Sequence, residues 1–258
     1  MNGLIADLGR AALATVAFFG SMAFLSARAV SGIFSRRRRS DELLRQMCRI
    51  GVDSLPLAGI ISAFIGMVMV METVYTLKRF GAESYAGGLV GISMAREMGP
   101  VVLAFILAGR VGAAIAAEIG TMKITEQIDA LEVLAVDPVR YLVSTRLLAA
   151  VVAVPCLFLL SLFLAVAGGF VIGVAMVGIG SGTYIQQTFE FVAIKDIGVG
   201  VVKSAVFAAL VIIASAHEGF RARGGAEGVG RAATSAVVIS FFLIILANLI
   251  LTAFFYFF

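Results

Sequence analysis

The ionisable residues of this chain are sparse, and those with meaningful spacing point to gripping and packing rather than to bond chemistry. Residues 109–138 read GRVGAAIAAEIGTMKITEQIDALEVLAVDP. Within them Glu126, Asp129 and Glu132 recur every third residue, while Ile124, Ile128, Leu131 and Ala135 recur at spacings of three and four. That pattern predicts an amphipathic helix with an acidic face. Asp137-Pro138 should stop it, because the residue before a proline is pushed out of the α region. A short acidic helix either docks into a groove on a soluble partner or lies as a connector with a solvated face. Just upstream, Gly109, Ala113 and Ala117 form one small-residue row and Gly112, Ala116 and Gly120 a second. Two such rows predict close helix packing on two sides.

A second polar feature is Arg96-Glu97, inside the apolar stretch at 86–118. At 1.5 Å per residue a helix over 85–118 is about 50 Å long against a hydrocarbon core of about 30 Å. Either the helix tilts and protrudes or it begins near Gly99, and the expectation is the long version, kinked at Pro100. Arg96 and Glu97 then lie within the membrane or at its rim, where ionisable residues face a cavity or one another. They are either a mutually compensating pair or a polar spot on a lipid-handling cavity, and the depth of Arg110 depends on where the helix begins. Met67 and Met71 read as soft packing or as the lining of a greasy route. Lys203, two turns into a later apolar run, reads as snorkelling to the interface.

Catalytic sets are missing from the sequence. There is no GxxxxGK[ST] phosphate loop, GxSxG elbow or HExxH pair, so the chain is expected not to be an enzyme. Cys48 and Cys156 stand in different segments and His217 is the lone histidine, which implies neither a disulfide nor a metal site. Nothing forms a basic surface with aromatic interleaving, so nucleic acid is not an expected partner.

What must position these residues is a membrane. Of 258 residues 61% are hydrophobic and 14% charged, with a mean hydropathy of +1.06, far from the roughly 45–50% and 25% of soluble domains. The fold class is an all-α integral membrane protein, a single transmembrane domain over 1–258. Five spans are expected, at 54–77, 85–118, 147–179, 197–216 and 236–258. Residues 4–34 are interrupted by Arg10 and Arg28 and lack a signal-peptide cleavage pattern. They read as an interfacial or membrane-associated helix, with crossing at 11–27 as the alternative. Small residues repeat at Gly59, Ala63 and Gly66 and again at Ala165, Gly169 and Gly173. Phe80, Tyr85, Tyr184, Phe189 and Phe191 suit aromatic belts. The four arginines at 36–39, with Lys123, Arg140, Arg146, Arg221, Arg223 and Arg231, fall on one side. That side is cytoplasmic by the positive-inside rule, with the N-terminus inside and the C-terminus outside.

The run at 109–138, with the preceding AREMGPVV and the following RYLVSTR, resembles the signature of the MlaE family. These are permease subunits of bacterial ABC transporters that move phospholipids between inner and outer membranes and maintain outer-membrane lipid asymmetry. The resemblance covers the chain from about Ile50 onward. It implies an inner-membrane homodimer bound by a cytosolic ABC ATPase that carries the ATP and Mg, this chain holding no cofactor. It further implies a small STAS-type subunit and a periplasmic hexamer of MCE-domain proteins. On it, residues 121–138 are the coupling helix, with Thr125, Glu126, Asp129, Glu132, Asp137 and Pro138 as contact residues. Arg96 and Glu97 match the family's polar pair near the lipid cavity, with Phe80, Met67 and Met71 as further lining, Phe80 standing where some relatives carry tyrosine. A secondary lipid or solute transporter and a non-transporting scaffold are the competing classes. The first needs coupling-ion ligands and commonly inverted repeats, and no internal repeat is visible. The second needs no polar spot inside the spans.

Overall fold

The computed structural model describes residues 2–33 and 40–257; the arginine run at 36–39 lies outside them. Among the described residues every regular element is a helix. In chain order these are α1 (Asn2–Ile33), α2 (Ser40–Ile50), α3 (Leu55–Leu77), α4 (Ala86–Ser93), α5 (Gly99–Leu107) and α6 (Ala113–Ile124). They continue as α7 (Gln127–Val133), α8 (Pro138–Ala175), α9 (Ser181–Phe191), α10 (Ile194–Phe220) and α11 (Gly225–Phe257). Helices α4, α5 and α6 form one continuous rod, joined by two π turns at Met94–Met98 and Ala108–Gly112.

The long rod expected at 85–118 is thus present, but its irregularity is not a simple proline kink. Gly99 donates to the Met94 carbonyl and Ala113 to the Ala108 carbonyl, five residues back in each case. The first π turn delivers Pro100 to the start of α5, where its missing N–H costs least. Arg96, Glu97 and Arg110 all sit on these π turns. Such turns splay side chains out of the regular helical rows and often mark functional positions.

Among the described residues six helical stretches are long and apolar enough to cross a membrane, α1 from Val16 included. The contacts of α1 nevertheless keep to one end of the bundle. Ser144, six residues into α8, donates to the Ala29 carbonyl at 2.7 Å, and Arg28 pairs with Asp137 at 3.0 Å. Ser21 meets His217 at 2.8 Å, three residues before the end of α10. Over this stretch α1 stays within about 10 Å of the end from which α7 projects. These contacts tie the second half of α1 to the ends of α8 and α10 on that side of the bundle.

Three boundaries differ from expectation. Helix α8 begins at Pro138 rather than 147, because Asp137 caps it and Arg146 is buried among partners rather than solvated. The polar connection at 180–196 is mostly α9, which packs on α4 through Gly87, Gly88 and Gly91, facing Tyr184, Thr188 and Phe191. The glycine-rich loop before 236 is largely the first turns of α11, entered through Gly224 and Gly225, both at positive φ.

The core is organised by small residues. A Cβ on Gly66 would strike the backbone carbonyl of Ala165, and one on Gly168 the carbonyl of Ala63. The two small-every-fourth motifs read in α3 and α8 are therefore halves of one contact, with the backbones touching. The phenyl ring of Phe158, fully buried on α8, fills the space against Gly99 and Gly200.

Candidate functional site

Two polar assemblies flank the rod, one toward each end. The first surrounds Glu97 on the upper π turn. Lys203 of α10 has no solvent exposure, and its Nζ donates to Glu97 Oε1 at 2.7 Å and to Thr252 Oγ1 at 2.8 Å. Asn248 Nδ2 donates to Glu97 Oε2 at 3.1 Å, and Thr252 lies 3.1 and 3.2 Å from the two carboxylate oxygens. One carboxylate thus ties the rod to α10 and α11. Its side chain is 35% exposed, so the cluster has one open side. Arg96 turns away from Glu97 and meets Asp196 at 3.6 Å. Asp196 in turn accepts from the Ala193 N–H at the start of α10.

This corrects two expectations. Arg96 and Glu97 do not compensate each other; each has its own partner on α10. Lys203 does not snorkel, since it is held inside by a carboxylate and a hydroxyl. The signal was available in the sequence. A buried carboxylate on one span and a buried ammonium on another are most economically satisfied by each other, and Asn248 and Thr252 mark the polar stripe of an otherwise apolar α11. Of the other cavity candidates, Phe80 is exposed on the turn after α3, Met71 is exposed and Met67 is half-buried on α3. The chain presents them on its surface.

The second assembly lies beneath α7. The amphipathic helix read over 121–138 is broken in two. Thr121 to Ile124 are the last turn of α6, Glu126 adopts φ 60°, and only Gln127–Val133 form α7. Ala135 at φ 56° closes the helix, and Asp137 Oδ1 then accepts from the N–H groups of Val139 and Arg140 at 3.0 and 3.3 Å. Burial works to raise the Asp137 pKa, but Arg28 and the two backbone donors outweigh it and hold the carboxyl below its ordinary value. Pro138 is buried at the first turn of α8. Asp137 and Pro138 are therefore the hinge that α7 hangs from, and not part of its exposed surface.

What α7 displays is mixed. Ile128 is buried and Leu131 half-buried against the bundle, as the periodicity predicted. Glu126, Asp129 and Glu132 are exposed, with Thr125 beside them, but Asp129 is held by Lys123 at 2.7 Å. Val133 at 87% and Leu134 at 71% exposure complete the face. The apolar pair escaped the sequence reading because it falls outside the row defined by Ile124, Ile128, Leu131 and Ala135.

The rod above α7 is braced to α2. Glu118 receives Arg49 at 2.8 Å and Arg146 at 2.6 Å, and Arg146 is almost wholly buried. Two turns further up, Arg110 donates to Ser54 Oγ at 2.5 Å and to the Arg49 carbonyl at 3.3 Å. Arg110 is thereby placed at the elbow between α2 and α3. Of the two small-residue rows, Gly112, Ala116 and Gly120 pack against Val211, Ser215, Gly219 and Ala222. Gly109 is exposed with nothing near its Cβ position, so the row it leads is not a two-sided contact within this chain. Among the described residues no group of acidic, histidine and cysteine side chains could hold a metal ion.

The sequence that builds this bundle is similar to known proteins. Residues 43–254 fit the family described as permease MlaE. A probable ABC transporter permease protein of Rickettsia typhi is 41% identical over 90% of each chain. A probable ABC transporter permease protein of Synechocystis is 38% identical over 89% of this chain and 87% of its own. The intermembrane phospholipid transport system permease protein MlaE of Haemophilus influenzae is 35% identical over 96% of each. The chain, a multi-pass membrane protein, therefore belongs to the MlaE family of ABC transporter permeases.

Proposed function

We propose that this chain is the transmembrane subunit of a transporter that moves phospholipids between the bacterial inner and outer membranes and so maintains outer-membrane lipid asymmetry. On this reading it is a homodimer in the inner membrane, with the N-terminus and α7 in the cytoplasm and the C-terminus periplasmic. Each α7 seats in an ABC ATPase that binds ATP and Mg. A STAS-type subunit and a periplasmic hexamer of MCE-domain proteins complete the assembly. Phospholipid as cargo is supported by the name of the Haemophilus influenzae relative, an intermembrane phospholipid transport system permease, and by the half-open ionic cluster around Glu97.

The observation that carries the reading is α7 itself. Its exposed Val133 and Leu134 stand beside Glu126 and Glu132 on a helix anchored at both ends, by Lys123–Asp129 and by the Asp137 cap. Apolar anchors rimmed by charge are the composition of a docking surface. ATPase closure would draw α7 inward. The rod, braced through Glu118 and Arg110, would carry the movement to the elbow of α3, and the space beside Glu97 would change volume around a lipid.

The test is co-purification of the permease and its ATPase after Val133→Asp with Leu134→Asp. Both side chains are solvent-facing, so membrane insertion should be unchanged while ATPase recovery falls at least tenfold. Wild-type recovery of the ATPase would overturn the docking assignment. If docking fails as expected, phospholipid content of the intact complex, measured by extraction and mass spectrometry, tests the cargo separately.

A further inference from the structure

A sizeable cavity lies far from the Glu97 cluster, between α1 and the ends of α8 and α10. It measures about 850 Å³, within the ~300–1,000 Å³ usual for small-molecule sites. Its walls divide by chemistry. Phe18, Phe24 and Leu25 of α1, with Val139 and Phe220 opposite, are apolar, while Arg28, His217 and Arg221 supply the polar side.

The charge around the cavity is unbalanced. Arg28 shares Asp137 with Arg140, at 3.0 and 3.4 Å, so two guanidiniums face one carboxylate. His217 is buried and uses both ring nitrogens, on Ser21 and on Glu218. Arg221 is exposed and makes no ion pair among the described residues. Counting Arg28, Arg140 and Arg221 against Asp137 and Glu218 leaves a surplus of one positive charge with His217 neutral. An aromatic-walled cavity with surplus positive charge, at the rim of the bundle, suits a phosphate head with an acyl chain attached. A free anion would gain nothing from the three phenyl rings, and a zwitterionic head would leave the surplus unmet.

We propose that this cavity holds one anionic phospholipid of the leaflet on the α7 side. Its phosphate lies between Arg221 and Arg28, and an acyl chain lies along Phe18, Phe24 and Phe220. This lipid is retained rather than carried, and it fills the gap beneath α1 that direct contacts leave open. The proposal goes beyond the transport reading and does not depend on it, since it concerns the opposite end of the spans.

Native mass spectrometry of the purified full-length protein in detergent tests it, with equimolar dioleoylphosphatidylglycerol and dioleoylphosphatidylcholine as probes. Wild type should retain phosphatidylglycerol in preference to phosphatidylcholine by about tenfold or more, the scale of a charge-assisted phosphate contact. Arg221→Gln should abolish the preference. Arg231→Gln, at an exposed arginine already paired with Glu227, should leave it intact. Phe24→Ala should lower retention of both lipids, because it removes part of the apolar wall without touching the cations. Equal retention of the two lipids by wild type would overturn the proposal. So would an unchanged preference in Arg221→Gln, or loss of the lipid to millimolar inorganic phosphate, which would mark a free-anion site.

Discussion

Removing either member of the Glu97–Lys203 pair should destabilise the bundle unequally, and the inequality follows from burial. Lys203 has no exposure, whereas the Glu97 side chain is 35% open and keeps Asn248 and Thr252 as donors when the lysine is lost. Orphaning a buried charge costs about 3–5 kcal/mol. Glu97→Gln, which strands the fully buried ammonium, belongs at the upper end of that range. Lys203→Met leaves a half-solvated carboxylate and belongs at about 3 kcal/mol or slightly less. At about 2–4 °C per kcal/mol for a chain of this size, Lys203→Met should lower the melting temperature by about 6–12 °C, and Glu97→Gln should lower it further. The double variant pairs a neutral amide with an apolar chain of similar length, so it should recover at least half of the larger single loss. The assay is thermal denaturation in detergent, followed by the loss of the monodisperse peak on size-exclusion chromatography. The reasoning fails if Lys203→Met costs more than Glu97→Gln, or if the double variant loses the sum of the two. Additive losses would mean that the side chains act independently despite a 2.7 Å contact.

Gly66→Ala and Gly109→Ala should behave oppositely. The first drives a methyl into the Ala165 carbonyl and should cost about 1–3 kcal/mol, whereas the second meets open space and should be neutral or gain up to about 1 kcal/mol, read in the same melting assay. For Asp137 the folded pKa lies below the ordinary value. Its stabilisation is therefore complete above pH ~4 and is lost as pH falls through the lower folded value. Hydrogen exchange of the second half of α1 should accelerate in wild type only in that acid range, while Asp137→Asn should show the acceleration already at neutral pH. Unchanged exchange in that variant would separate α1 from the Arg28–Asp137 contact. Glu118→Gln should cost about 3 kcal/mol because it strands buried Arg146, whereas Arg49→Gln should cost no more than about 1 kcal/mol because that partner is half-exposed. Similar losses in the two variants would contradict the burial argument.

The all-helical membrane fold, the long rod at 85–118 and the small-residue contact of α3 with α8 were legible because each rests on a local, periodic signal. Length and hydropathy find a span, and glycine and alanine at every fourth position find a close approach. The errors came where one residue's environment is set by another helix. Lys203 looked like a snorkelling side chain because its partners lie 106 and 49 residues away. Within α7 the anchoring positions Ile128 and Leu131 were correctly assigned. The break at Glu126 was not, because a left-handed glutamate is held by the corner between α6 and α8 and carries no glycine to announce it.

That corner explains why the rod needs its irregular turns. A straight helix from Ala86 to Ile124 would keep its charged residues in the ordinary helical rows. The π turns instead redirect Arg96, Glu97 and Arg110 at two heights, upward to α10 and α11 and downward to the α2–α3 elbow. Glu118 adds a third attachment about two turns above the break at Glu126. The segment from Arg110 to Glu118 is therefore clamped at both ends to the same short stretch around Arg49 and Ser54. A displacement of α7 cannot be absorbed by sliding between the rod and α2 without breaking charge-assisted bonds to buried groups. It must move the elbow of α3 with it, and α3 in turn is locked backbone to backbone on α8 through Gly66 and Gly168. The compliant element left above these clamps is the upper π turn, whose Glu97 keeps an open side.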